Sequence, residues 1–199
     1  MDLPDVVRRR RMVRAFRADP VDPAVVDDLC DLARRAPSAG NSQGTAFLVL
    51  DDPDATGRYW ATTLSPERRA RFRWPGLLAA PVLVVVATRP EAYVARYDEP
   101  DKAATGLGAG ADAWPVPYWW VDAGAAIEHL LLGAVDAGLG ACLFGVFEHE
   151  AAVAEAFGVP DGWRLVGTVA LGHPAPDEPG RSAARPRRPL GEVVHRGGW

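Results

Sequence analysis

The chain reads as one globular domain built from both helices and strands, and three stretches carry that reading. Ala80-Pro-Val-Leu-Val-Val-Val-Ala87 is apolar on both faces, as a strand in the middle of a sheet must be. Residues 121–137 are apolar nearly all round, as a helix buried on every side is. Between residues 22 and 36 the apolar residues recur at helical spacing on one face only. The 199 residues are 48% hydrophobic, enough for a sizeable core and too apolar for a disordered chain.

In chain order, residues 3–10 read as a short helix running into Arg8-Arg9-Arg10-Arg11, with Met12-Val-Arg-Ala-Phe16 extended behind it. Adjacent guanidinium groups repel one another unless an anion sits among them, and a solvated basic face is the alternative. Asp22-Pro23 starts a helix: an N-cap residue, then proline at the first helical position. Val25, Leu29, Leu32 and Ala36 form its expected apolar face, and it must stop before Pro37. Phe47-Leu-Val-Leu50 is expected as a short buried strand, and residues 54–78 as one or two surface helices.

Residues 89–120 are the least regular segment, expected as a lid or insertion. Gly106-Leu-Gly-Ala-Gly-Ala111 matches the spacing of a dinucleotide fingerprint, but no strand precedes it and Trp114-Pro-Val-Pro117 follows it, so the match is rejected. Trp114, Tyr118 and Trp119 are candidates for the wall of a substrate pocket, plain core being the competing reading. The long apolar helix comes next, and its all-round pattern suits the molecular centre or a subunit interface. Cys142-Leu-Phe144 is a short extended piece broken by Gly145; residues 148–157 are a helix and 163–171 a strand. A proline-rich tail, residues 173–199, should run extended over a surface, such as that of a partner subunit.

Composition narrows the function. A net charge of −4 argues against a general nucleic-acid binder. All but one of the 22 basic residues are arginine, Lys102 being the exception, which reflects coding bias more than function. Two cysteines and four scattered histidines make no metal pattern. No apolar run is long enough to span a membrane, and no apolar segment suits a signal peptide, so a cytoplasmic location is expected.

Four motifs then fall in order along the chain: Arg10-Arg-Met-Val-Arg-Ala-Phe16; Ala36-Pro-Ser-Ala-Gly-Asn-Ser-Gln43 before a strand; Gly138-Leu-Gly-Ala-Cys-Leu-Phe-Gly145 after an Ala/Leu-rich helix; and Arg185-Pro-Arg-Arg-Pro-Leu190. The ordered set resembles the FMN-dependent nitroreductase superfamily over essentially the whole chain. The resemblance implies an α+β fold, a three-layer α/β/α sandwich with a mixed central sheet and a long buried helix, in a single domain spanning residues 1–199. It implies a homodimer with FMN at the interface. By motif match, Arg10, Arg11 and Arg14, with Arg185 and Arg187, would grip the phosphate and ribityl chain, and Met12 would face the cofactor with its backbone N–H. Arginine forks suit a phosphate dianion. Pro37, Ser38, Ala39, Asn41 and Gln43 would touch the flavin from the other subunit. Leu143, Phe144 and Gly145 would lie against the ring system, with a backbone N–H near N5.

The implied flavoprotein is an oxidoreductase that takes hydride from NADH or NADPH and reduces a small electron-poor acceptor (a nitroaromatic, quinone or enone) in a ping-pong cycle. No side chain is needed as nucleophile and no metal is expected; flavin N5 carries the chemistry. Two alternatives stand beside it: an FMN-dependent oxidase or dehydrogenase of a biosynthetic intermediate, and a flavin-binding protein without turnover. Two positions depart from the family pattern. Met12 stands where serine is usual, leaving a backbone N–H as the only donor there, and Gly44-Thr45 replaces the usual Pro-Trp.

Overall fold

A computed structural model describes residues 1–178 and 180–199, without the side chains of Arg181 and Ser182. The elements are helix α1 (Leu3–Arg9), helix α2 (Pro23–Ala33), strand β1 (Thr45–Leu50), helices α3 (Pro53–Thr63) and α4 (Pro66–Ala70), strand β2 (Val82–Thr88), helices α5 (Pro90–Asp98) and α6 (Tyr118–Asp136), strand β3 (Gly140–Phe144), helix α7 (Glu150–Phe157) and strand β4 (Arg164–Gly172). Local chemistry sets several starts. Asp2, Asp22, Asp52 and Ser65 each accept a backbone N–H of the first turn of α1, α2, α3 and α4, and each of these helices has proline in its opening residues.

The sheet order is β1-β2-β4-β3, and all three pairings are antiparallel. The parallel component is an isolated bridge between Met12 and Ala141, which lays the N-terminal segment along β3. Every residue of β2 is buried. Leu83, Val85 and Ala87 face a core built with Tyr59 and Trp60 of α3 and Val153 of α7. Val82, Val84 and Val86 face a core built with Val26 and Leu29 of α2 and Ile127, Leu130, Leu131 and Ala134 of α6. The period-two alternation of one strand thus divides the interior into two halves, with helices on both sides.

Four expectations need correcting. On α2 the buried residues are Val26, Leu29 and Ala33, not Val25 and Leu32; Leu32 is 49% exposed, and Ala36 lies beyond the helix end. Helix α6 packs against this face, and a Cβ at Gly133 would lie 2.7 Å from Leu29 Cδ2 and 3.4 Å from Leu32 Cδ1. Tyr59 and Trp60 are interior residues of α3, not surface ones. Strand β1 is an edge strand, only half-buried before Leu50. Helix α6 begins at Tyr118 and is not buried all round; Val121 is 51% exposed, and Gly124 and Glu128 on the same stripe face solvent in the single chain.

The stretch 89–120 holds helix α5 and then three short 3₁₀ turns before α6. Tyr93, Trp114 and Trp119 form a small third core there, and the Trp114 indole N–H donates to the Leu107 carbonyl at 3.0 Å. Gly106–Ala111 therefore follows a helix rather than a strand. Gly108 serves close packing, since a Cβ there would meet the Asp98 backbone at 2.6 Å. The tail is fixed at its start by the Ala175 N–H to Ala15 carbonyl bond, 2.9 Å, and is exposed from residue 183 onward. Among the described residues no helix is long and apolar enough to cross a membrane.

The Tyr59 hydroxyl meets the Thr168 hydroxyl at 2.8 Å inside the first core. Burial pushes the Tyr59 phenol up to about 12, opposed by this bond. Tyr59→Phe leaves Thr168 without its partner and should cost about 1–3 kcal/mol, read as a lower urea midpoint at unchanged slope.

Candidate functional site

The N-terminal segment brings Arg14 to the end of β3. Its backbone N–H donates to the Asp177 carboxylate at 2.7 Å, and its Nη1 donates to the Met12 carbonyl at 3.3 Å. The guanidinium lies 5.3 Å over the Trp74 ring, with Arg73 stacked at 5.0 Å on the same indole. Met12 contributes no hydroxyl; its sulfur instead accepts the Leu143 N–H at 3.4 Å, tying the segment to β3.

Arg14 lines a chamber of about 430 Å³. Its floor is Leu143, Phe144 and Gly145, where β3 ends. Its walls are Tyr59, Trp60, Phe72 and Trp74, and its rim carries Arg68, Phe147 and His149. Trp60 stacks on Phe144 at 5.6 Å and 19°, with Tyr59 edge-on to Trp60 at 5.2 Å. A Cβ at Gly145 would run into the Phe147 ring, so a larger residue there would have to push that exposed side chain aside. Phe147 itself has φ 47° and is 81% exposed. A left-handed backbone and an uncovered aromatic at a cavity mouth are both unfavourable in isolation. The Cys142 thiol also borders the chamber. Burial pushes it up, Arg14 pulls it down and Asp177 pushes it up again, with a net rise. It stays a protonated thiol at neutral pH and is no nucleophile.

A second cavity of about 330 Å³ lies under the loop before β1 and is lined by Pro37, Ser38, Asn41, Gln43, Thr45 and Asp122 among others. The loop is strained and heavily braced. Gly40, Asn41 and Gln43 have φ of 61°, 57° and 50°. For the two non-glycine residues that conformation costs about 1–2 kcal/mol each, less for asparagine. Holding them there, the Asp122 carboxylate accepts the Ala39 N–H at 2.8 Å, and Arg96 Nε donates to the Gly40 carbonyl at 2.8 Å. Arg96 is in turn gripped by both oxygens of Asp101 at 2.8 Å. The Ser42 hydroxyl donates to the Ala39 carbonyl and the Gln43 N–H to the Ser38 hydroxyl, at 2.6 and 3.0 Å. Asp122 is a buried carboxylate without an ion-pair partner among the described residues.

The residues singled out in the sequence are thus distributed over one chain rather than gathered. Arg14, Leu143, Phe144 and Gly145 meet in the chamber; Pro37, Ser38, Asn41 and Gln43 meet in the second cavity, and no residue lines both. Arg10 lies 3.5 Å from Glu128 of α6, and Arg11 borders a shallow hollow beside Gly138 and Pro174. Arg185 and Arg187 lie in the exposed tail, and among the described residues neither lines the chamber or the loop cavity. Trp114 and Trp119 are buried in the third core, Tyr118 is largely exposed, and none of the three lines the chamber. The sequence reading did not select Asp122, Arg96 or the chamber walls. A lone carboxylate in the apolar first half of α6 was the visible signal for Asp122; Arg96 left none.

Arg96→Ala should free the loop selectively. Amide hydrogen exchange at residues 39–43 should quicken at least tenfold, about 1.4 kcal/mol of local opening, while β2 and β4 stay protected. Uniform quickening across the sheet would mean that Arg96 supports the whole fold instead.

Comparison with known proteins follows from this geometry. A model of the nitroreductase family matches residues 7–173. The 5,6-dimethylbenzimidazole synthase of Rhodospirillum rubrum is 33% identical over 183 residues, covering 85% of this chain and 81% of that protein. The NADH dehydrogenase of Thermus thermophilus is 28% identical over 193 residues, covering 88% of each chain. Among solved structures, the FMN complex of a nitroreductase-like protein from Exiguobacterium sibiricum has a TM-score of 0.72 at 21% identity, covering 98% of this chain and 97% of that one.

Proposed function

The chain belongs to the nitroreductase family, and we propose that it is a cytoplasmic, homodimeric FMN-dependent oxidoreductase that draws hydride from NADH or NADPH and reduces an electron-poor aromatic, quinone or enone. One observation carries the reading: the aromatic chamber with Arg14 on its edge and the polar, braced loop are separate cavities of one chain. Each is half of a site for a flat cofactor with a polar rim. A second copy, apposed through the open stripe of α6 at Val121 and Gly124, would supply the missing half.

The residues fit FMN. The chamber floor carries no side chain at Gly145, the walls are aromatic, and Arg14 lines the chamber with its backbone N–H held by Asp177 and its guanidinium by the Met12 carbonyl. Pro37, Ser38, Asn41 and Gln43 offer amide and hydroxyl groups to ring carbonyls and nitrogens, Ala39 fixes the loop through its N–H, and Arg10, Arg11, Arg185 and Arg187 offer charge to a phosphate. When bound, FMN supplies two-electron transfer at N5 between the nicotinamide and the acceptor. The donor gives up a hydride; the acceptor gains two electrons and two protons, the second proton coming from solvent. The chain's own part is to hold the ring edge with a cation, to wall the face with Trp60, Phe144 and Trp74, and to limit water.

The relative in Thermus thermophilus supports a nicotinamide donor. The 33% identity to 5,6-dimethylbenzimidazole synthase supports a second reading, oxidation of a biosynthetic intermediate with FMN and oxygen. Anaerobic stopped-flow mixing of the yellow protein with NADH and with NADPH separates them. Rapid bleaching at 450 nm by either donor, reversed by a quinone, is expected. Bleaching by neither sinks the first reading and leaves the second. Arg14→Ala and Arg187→Ala should each weaken FMN binding by more than ~1.5 kcal/mol, the low end for a charged hydrogen bond; equilibrium dialysis showing unchanged retention would refute that role.

A further inference from the structure

The chamber does not end at its aromatic walls. It opens into a groove lined by Leu64, Glu67, Arg68, Arg71, Phe72 and Arg73, and the two spaces share Leu64, Arg68 and Phe72. Arg68 thus borders both spaces, and Arg71 and Arg73 border the groove beside it.

Some arginines of the chain carry an acidic partner and others do not. Arg8, Arg10, Arg17, Arg34, Arg35, Arg96, Arg164 and Arg188 each have a carboxylate within ion-pair distance. Among the described residues Arg68, Arg71 and Arg73 have none, as is also true of Arg9, Arg11, Arg14, Arg58, Arg69, Arg89, Arg185, Arg187 and Arg196; what sets the three apart is that they border one groove beside the chamber. Glu67, the one acid in the groove, does not serve them. Its carboxyl is held below the usual carboxylate range by its own backbone N–H and then by the Ser65 hydroxyl, and it forms no ion pair with the three arginines. Helix α4 has only five residues, and it places Arg68 one turn from Arg71, with Arg73 just beyond on the Trp74 face. Unpaired like charges this close repel, and an anion among them relieves the repulsion.

On the reading that the chamber is the redox site, we propose that it takes an electron partner with a planar aromatic head and an anionic tail. The head enters at Phe72, which the chamber and the groove share, and a phosphate or carboxylate sits on Arg68, Arg71 and Arg73. The anion has two natural sources, the pyrophosphate of the nicotinamide donor or an acidic group on the acceptor.

The test compares the wild-type FMN-loaded protein with the R68Q/R71Q/R73Q variant, whose changes are all on exposed side chains. Three readouts are taken: tryptophan quenching by 4-nitrobenzoate and by neutral nitrobenzene; flavin reduction by NADH and by 1-benzyl-1,4-dihydronicotinamide, which lacks phosphate; and FMN content. The variant should lose at least about tenfold in affinity for 4-nitrobenzoate or in KM for NADH, the size of one charged hydrogen bond, with far smaller change for the neutral counterparts. Loss confined to NADH assigns the groove to the donor; loss confined to nitrobenzoate assigns it to the acceptor. Equal change for charged and neutral members of both pairs overturns the proposal. So does a fall in FMN content, which would make the groove part of the flavin's own phosphate site. If the wild type holds no FMN, the redox reading fails, while quenching by nitrobenzoate over nitrobenzene still decides the groove.

Discussion

The constraint on which the structure depends is the two-sided burial of β2. A strand with seven buried residues and no polar face cannot lie at a surface. It must have a strand on each edge and helices on each face, and β1 and β4, with α3 and α7 on one side and α2 and α6 on the other, meet those demands. The rest follows from where the flanking strands begin and end. Strand β1 starts where the braced loop finishes, and β3 ends where the chamber floor begins. Both cavities sit at strand ends because the sheet interior has no room for them.

What each site half owes to its surroundings differs. The chamber is made of large aromatic groups whose packing is apolar and would form around any ring-shaped guest. The loop owes its shape to directed bonds from distant elements: Asp122 on α6 and Arg96 on α5. The segment that looked least regular in the sequence, residues 89–120, thereby acquires a structural purpose. Its third core of Tyr93, Trp114 and Trp119 anchors α5, and α5 presents Arg96 to the loop.

Features carried by adjacent residues were legible. Asp22-Pro23 marks the start of α2 because an N-cap and its first-turn partner are two residues apart. The strand at 82–88 was legible because its burial is written in every residue. Gly145 as a strand breaker and the rejection of the Gly106–Ala111 pattern rested likewise on immediate neighbours. What escaped were relations across the chain. Val26 and Val25 are equally apolar, and which one turns inward is decided by the sheet and α6 against which α2 packs. Tyr59 and Trp60 sit among arginines, so their burial depends on a sheet that local sequence does not display. Asp122 and Ala39 are 83 residues apart, and Arg96 and Gly40 are 56 apart, so neither bond leaves a trace in spacing.

The bracing of the loop has a kinetic meaning. With Gly40, Asn41 and Gln43 already in left-handed conformations, and four side-chain hydrogen bonds within or onto the loop, its backbone freedom was surrendered during folding. A guest at this face meets a surface already shaped, so little entropy remains to be lost on capture. Encounter then becomes a matter of diffusion and orientation rather than of waiting for a rare open form. Any slow phase in association belongs instead to the chamber mouth, where Phe147 stands over Gly145 and has room to turn.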